Sequence, residues 1–284
     1  GIILAMPPLD YLVHNTLFLV AHFHNMLIPG LLYGMLAGYH YWFPKAFGFR
    51  LDERWGRIAF TCWVVGFYLA FFPLYVLGAS GMARRTQAIF EPSFRPWLYV
   101  AGVGAFVLLA ALTSLGIQLW VSIRDRAKTR VEAGDPWDGR GLEWSVSAPP
   151  PEYNFAVLPL IDGRNPFYDH KHDEGQPDPY GSPAAYEDIV VPRGSATSVV
   201  IGLTAAVAAF GLIWEIWGLT IVALQVIVAA VVLRSFGRDQ HRTIPAAEVA
   251  REHEAWLTRV RATPAIPRQL ETSAVNRGLA EIVA

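Results

Sequence analysis

The sequence predicts an all-α, polytopic membrane bundle of about five transmembrane helices plus the end of a preceding one. Three observations lead there. Of 284 residues, 53% are hydrophobic and 17% are charged, whereas about 25% are charged in an average soluble domain. Apolar runs approach the ~20 residues that cross a bilayer. Basic residues gather after alternate runs.

The opening GIILAMPP is apolar with no basic flank. It lacks the positive leader of a secretory signal and reads as the end of a membrane helix, so a piece of a longer or split protein is expected. The first full helix is expected from about Leu12 to Phe43, the second from Ile58 to Ala79 and the third from Pro96 to Ile123. A hairpin follows, Ser198 to Ile216 and Leu219 to Leu233, turning at Trp217 and Gly218. Four segments result: a core at 1–127, a Pro-rich loop at 128–194, a two-helix hairpin at 195–236 and a tail at 237–284. The run Pro149-Pro150-Pro151 excludes helix and favours extended backbone. In the tail, Val249, Trp256, Leu257 and Val260 punctuate a charged stretch, which predicts an amphipathic helix from about Ala246 to Ala262.

Lys45, Arg50, Arg54 and Arg57 follow the first helix. Arg124, Arg126, Lys128 and Arg130 follow the third, and Arg234, Arg238 and Arg242 the fifth. Alternation puts all three groups on one side, which the positive-inside rule makes cytoplasmic, the C-terminal tail included. Arg84, Arg85 and Arg95 then fall on the outer side and break the rule. Net charge is -1, so nothing global points to nucleic acid, and the lone Cys62 reads as a packing residue.

Chemistry concentrates at residues 9–25, LDYLVHNTLFLVAHFHN. Ionisable groups inside a membrane segment are costly and default to a functional hypothesis. At ~100° per residue, His22 and His24 point about 200° apart. They cannot chelate one ion, but they can ligate two separate groups, one on each side of the helix. Neutral imidazole is an axial ligand for heme iron, and Phe23 would sit between two such ligands. Asp10 and His14 share a face if a helix has begun at Pro7 and Pro8. Arg84 and Arg85 suit the two carboxylates of a heme. His40 lies ~27 Å beyond His22 along a helix. His40, at the opposite membrane face, and His170, His172, His241 and His253 read as surface residues rather than ligands, and Glu215 as reaching water at the outer turn. A heme-free transporter or structural subunit is the competing reading.

HNTLFLVAHFHN resembles the tenth helix of subunit I of the heme-copper oxidases. GMARRTQ at 81–87 and DPWDGRGLEWSVSAPPPEYNF at 135–155 extend the resemblance in the family's order over nearly the whole chain. The extra C-terminal hairpin is most similar to the cytochrome bo-type ubiquinol oxidases. The resemblance implies that His22 binds the iron of the high-spin heme (type o or a) and His24 that of the low-spin heme (type b or a). It implies that Arg84 and Arg85 hold heme propionates, and that Asp10, His14 and Asn15 belong to a polar proton-exit layer. Where many cytochrome c oxidases carry Asp after that histidine, this chain has Asn15, a poorer partner for magnesium, which favours the quinol branch. The copper ligands and the second ligand of the low-spin heme lie outside this chain, so it has no catalytic centre alone. The implied partners are subunits II, III and IV, the N-terminal part of subunit I, ubiquinol, oxygen and lipid. The implied activity is oxygen reduction to water with proton pumping in a bacterial inner membrane, with cytochrome c as the alternative donor.

Overall fold

The computed structural model describes residues 1–89, 91–172, 178, 180, 185–237 and 241–264. Arg238 and the end of the tail lie outside the described residues. Contacts separate two units, one made chiefly of Gly1–Pro150 with Ile161–Pro179, the other of Pro151–Leu160 with Tyr180–Thr258.

The first unit opens with one helical turn, α1 (Ile2–Ala5), and a short helix α2 (Pro7–Val13). Pro7 and Pro8 occupy its first positions, where a missing N–H costs nothing. The expected helix from Leu12 is interrupted. His14, with ψ 135°, ends α2, and Asn15 takes the left-handed conformation at φ 56°. Thr16 then caps α3 (Leu17–Leu27), its side chain accepting from the Phe18 amide. Asn tolerates this backbone better than most residues, and Thr is a strong N-cap. The break therefore has a local cause that hydropathy alone does not show.

A π-helical turn at Ile28–Leu32 joins α3 to α4 (Tyr33–Phe47). Pro29 within it lacks the N–H that a regular turn requires. Gly48 ends α4 at φ 76°, as left-handed helix ends demand. Asp52 caps α5 (Glu53–Ala79) by accepting from the Trp55 amide at 2.9 Å. This helix starts five residues before the expected Ile58, because charged Glu53, Arg54 and Arg57 prolong it beyond the apolar run. A 3₁₀ turn at Pro92–Phe94 leads into α6 (Arg95–Arg124).

Helices α5 and α6 form the main packing pair. At Gly104 a side chain would collide with the backbone of Ala70, so glycine is what allows the close approach. Ala59, Trp63 and Ala111 form a core cluster, with Leu108, Leu115 and Cys62 packed against it. The chain then folds through a 3₁₀ turn, Leu142–Ser145, and α7 (Pro166–His172).

In the second unit, β1 (Ile189–Pro192) pairs antiparallel with β2 (His241–Ile244), Ile189 opposite Ile244. The all-α expectation omitted this ladder. Its four-residue strands are too short to leave a periodic signal. Between the strands stand α8 (Thr197–Ile213) and α9 (Trp217–Ser235). Their turn falls at Trp214–Ile216, not at Trp217 and Gly218, because Glu215 takes φ 55° there. Glu215 is exposed, as expected. The final helix α10 (Ala246–Ala262) has the expected bounds. Its Val249 packs on Val191 and Ile244.

Among the described residues, four helices are long and apolar enough to span a membrane: Leu17–Phe47, Glu53–Ala79, Pro92–Arg124 and Trp217–Ser235. The other expected span, α8, has 17 residues. The chain is a multi-pass helical membrane protein.

Candidate functional site

The site is built around the break between α2 and α3. Asp10 and His14 are joined across one turn of α2, Nδ1 to Oδ2 at 3.5 Å. His14 is exposed and Asp10 half-buried, so this contact alone adds little stability.

The backbone of the break is gripped by the segment after α5. The Arg84 amide donates to the Asn15 carbonyl and the Leu17 amide to the Met82 carbonyl, each at 3.0 Å. Thr16 and Ala83 thus form an antiparallel bridge. Gly81 at φ 88° and Arg85 at φ 64° turn the chain on either side. The arginine pair is therefore delivered beside the start of α3 by main-chain bonds. Among the described residues, neither Arg84 nor Arg85 has an ion-pair partner. Two guanidiniums are left able to meet acidic groups from elsewhere.

His22 and His24 lie on one uninterrupted helix and are both half-buried. His24 Nδ1 is 2.9 Å from the Val20 carbonyl. A carbonyl only accepts, so Nδ1 is the donor, and in the neutral tautomer that this selects the lone pair is on Nε2. The His24 ring stacks on Phe71, with centroids 4.6 Å apart and planes at 19°. The Phe23 ring centroid lies 4.3 Å from that of His24, and Phe23 is 38% exposed. The Gly1 amine stands 3.3 Å from His22 Nδ1. Among the described residues, no three His, Cys, Asp or Glu side chains gather into a group that could hold a metal.

A cavity of about 380 Å³ runs along α4, α5 and α6, lined by Tyr33, Leu36, His40, Trp63, Leu115 and Gln118 among others. His40 donates from Nδ1 to the Leu36 carbonyl at 2.8 Å. Its Nε2 faces Gln118 Nε2 at 3.3 Å, and that amide also donates to the Asp52 carbonyl at 3.0 Å. Gln118 Oε1 and Trp63 Nε1 are buried without a partner among the described residues.

A second polar assembly joins the end of α4 to the loop after α6. Lys45, 7% exposed, donates from Nζ to the carbonyls of Val146 at 2.7 Å and Ser147 at 3.3 Å. Its ammonium lies 5.3 Å from the Trp144 ring centroid. Trp137 and Trp144 donate to the Tyr41 carbonyl and hydroxyl, at 2.9 and 3.0 Å. Lys171 bridges Asp135 at 2.7 Å and Asp138 at 2.6 Å, and His172 reaches Asp138 at 2.7 Å. Burial raises the Asp138 carboxyl, but the bonds from Lys171 and His172 outweigh it and hold the group below the ordinary range. The bond from His170, with a smaller opposing effect of burial, likewise lowers Asp162.

Four expectations are corrected here, the first being His40, which is half-buried against Gln118 and not a surface residue. His170 is buried on Asp162, and His172 is half-buried on Asp138, so neither is a plain surface residue. His253, also expected at the surface, is 7% exposed and packs against Tyr186 and Trp256. The readings of His172 and His253 fail because Asp138 and Tyr186 lie 34 and 67 residues away in sequence, whereas Asp162 lies only eight residues before His170 and meets it through the fold of the loop. Lys45, read only as one of the basic residues after the first helix, is buried through contacts about a hundred residues away in sequence. Thr16 was legible as a cap preceding an apolar run, but a continuous hydropathy pattern concealed it.

The described residues thus define a multi-pass helical membrane protein with a His-Phe-His triplet on one helix and a paired arginine turn clamped to that helix's start. The sequence model for "Cytochrome C and Quinol oxidase polypeptide I" matches residues 1–107. The chain belongs to this family, the heme-copper oxidase subunit I family. It is 46% identical over 252 residues to a probable cytochrome c oxidase subunit 1 of Bradyrhizobium diazoefficiens, covering 88% of this chain and 38% of that protein. It is 45% identical over 256 residues to ubiquinol oxidase subunit 1 of Acetobacter aceti, again covering 88% and 38%. Against cytochrome bo(3) ubiquinol oxidase subunit 1 of Buchnera aphidicola, identity is 41% over 257 residues, covering 90% of this chain and 39% of that protein. The chain spans about 38% of the length of the curated relatives it matches.

Proposed function

We propose that this chain is the C-terminal portion of the large subunit of a respiratory quinol oxidase. In this reading the complete subunit binds a low-spin heme b (or a) and a high-spin heme o (or a), with copper held by residues of the rest of the subunit. When bound, these groups would carry electrons to oxygen, reducing it to water. The observation that carries the reading is the His22–His24 pair on α3. The tautomer imposed by Val20 leaves His24 with a lone pair on Nε2. His22 would serve the high-spin heme and His24 the low-spin one, while Phe23 fills the space between.

Arg84 and Arg85 would neutralise heme propionates, a reading supported by the lack of an ion-pair partner for either guanidinium among the described residues. Asp10, His14 and Asn15 would form the polar layer through which protons leave. Positive-inside counting supports placing Lys45, the 128–194 loop and the 237–284 tail on the cytoplasmic side of a bacterial inner membrane. In this reading the chain divides into an oxidase core at 1–127, a Pro-rich loop at 128–194, a two-helix hairpin at 195–236 and a tail at 237–284. The remaining subunits would be its partners.

Ubiquinol is the proposed donor, supported by the names of the Acetobacter and Buchnera relatives and by Asn15. Cytochrome c is the second reading, favoured by the name of the Bradyrhizobium relative. Turnover of the purified complex with each donor separates the two.

The test is a reduced-minus-oxidised and a carbon-monoxide difference spectrum of the complete complex. His22→Ala is expected to abolish the carbon-monoxide-binding heme, and His24→Ala the low-spin signal. If neither variant changes a heme band, the ligand assignment is wrong and a heme-free role returns.

A further inference from the structure

The arginine turn and the ligand helix are joined by main-chain hydrogen bonds from Arg84 to Asn15 and from Leu17 to Met82. Such bonds do not depend on which side chains the turn carries, so they fix register. In an extended pair, a slip of one residue moves the chain by ~3.3 Å and turns each side chain to the opposite face. The start of α3 then sets the height of the histidines. At 1.5 Å per residue, His22 lies ~7.5 Å and His24 ~10.5 Å beyond Leu17.

One side chain ties these two coordinates together. Thr16 is 8% exposed. Its hydroxyl donates to the Val13 carbonyl at 2.6 Å and accepts from the Phe18 amide at 3.2 Å. It thereby binds the end of α2 to the first turn of α3, while its own backbone forms the bridge to Ala83. Gly78, near the end of α5, seats the junction from the other side. A side chain there would collide with the Phe18 backbone. The left-handed Asn15 and Arg85 flank this contact. The chain has therefore placed a cap, a bridge and a close helix approach at one point.

We propose that Thr16 is a positioning residue that sets the separation between the Arg84–Arg85 pair and the two histidine ligands. The inference rests on the assignment of those arginines to heme propionates. It goes beyond that assignment in naming what holds the charges at their working distance. When the hydroxyl is lost, the Phe18 amide loses its acceptor and the first turn of α3 loosens. The guanidiniums then withdraw from the carboxylates they neutralise. Uncompensated negative charge near a heme favours the oxidised iron, so its midpoint potential falls.

The experiment is redox titration of both hemes in the intact complex, with heme content measured from the optical spectrum. Thr16→Val removes the hydroxyl at nearly constant shape, and Thr16→Ser keeps it. The valine variant is expected to lower a heme midpoint potential with heme content retained, and serine to restore the wild-type value. Arg84→Ala is expected to lower the same potential. The double variant Thr16→Val/Arg84→Ala should shift no further than Arg84→Ala, since both changes act through one charge. A wild-type potential in Thr16→Val, or fully additive shifts, overturns the positioning role while leaving the arginine assignment intact. A wild-type potential in Arg84→Ala overturns that assignment and the inference with it. Should the valine variant lose heme, Thr16→Ala, which deletes the hydroxyl without adding a second methyl, is titrated in its place and judged the same way.

Discussion

Replacing Lys45 by methionine isolates the contact between α4 and the loop that follows α6. Methionine keeps the length and most of the volume but donates nothing. The variant loses two charged hydrogen bonds, to the carbonyls of Val146 and Ser147, each worth roughly 1.5–3 kcal/mol. It also loses the ammonium over Trp144, worth about 1–2 kcal/mol where water is excluded. Against this, the several kcal/mol spent on desolvating a buried ammonium are recovered. The terms leave a net loss of about 2 kcal/mol, weakening loop docking roughly 30-fold. Limited proteolysis of the intact complex reads the effect directly, because cleavage tracks the open population when opening and closing are fast. Cleavage between Val131 and Ser147 is expected to accelerate by about that factor. Unchanged or slower cleavage would refute the view that Lys45 latches the loop.

Three further outcomes follow from the same geometry. The Asp138 carboxyl is held below its ordinary 3.8 by Lys171 and His172, so its contribution is complete above that pH and is lost as pH falls through the depressed value. Hydrogen exchange of 135–172 should therefore rise under acid in the wild type, while Asp138→Asn should exchange faster already at neutral pH, with a flatter acid response. Gly104→Val should destabilise the α5–α6 pair by about 2 kcal/mol or more, lowering the thermal midpoint. Gly102→Ala meets nothing within 4 Å and should be neutral or slightly stabilising, so equal losses at both positions would contradict the packing described here.

The membrane helices were legible because their signal is local. Apolar runs bounded by arginines and prolines mark α4, α5 and α6 whatever surrounds them. The His-Phe-His spacing could be turned into geometry for the same reason, since helix periodicity is a fixed angle per residue. Three kinds of feature escaped. The break at Asn15 depends on one left-handed residue inside a continuous hydropathy pattern. The burial of Lys45, His172 and His253 depends on partners that sequence distance hides; Lys45 meets Val146 only after the chain has returned from α6. The β1–β2 ladder joins segments on either side of the α8–α9 hairpin, and neither strand is long enough to show alternation. The clamp between Asn15–Leu17 and Met82–Arg84 combines all three difficulties. It is main-chain, long-range and built on unusual φ angles, yet it brings the two motifs of the site together.

The most direct test of the two-heme helix is a cryo-electron microscopy map of the complete complex at a resolution that separates the imidazole rings. Two tetrapyrroles are expected on opposite sides of α3, one with iron bonded to His22 and the other to His24, and with propionates facing Arg84 and Arg85. A map in which either imidazole points at protein or lipid, with no iron at bonding distance, would contradict the assignment.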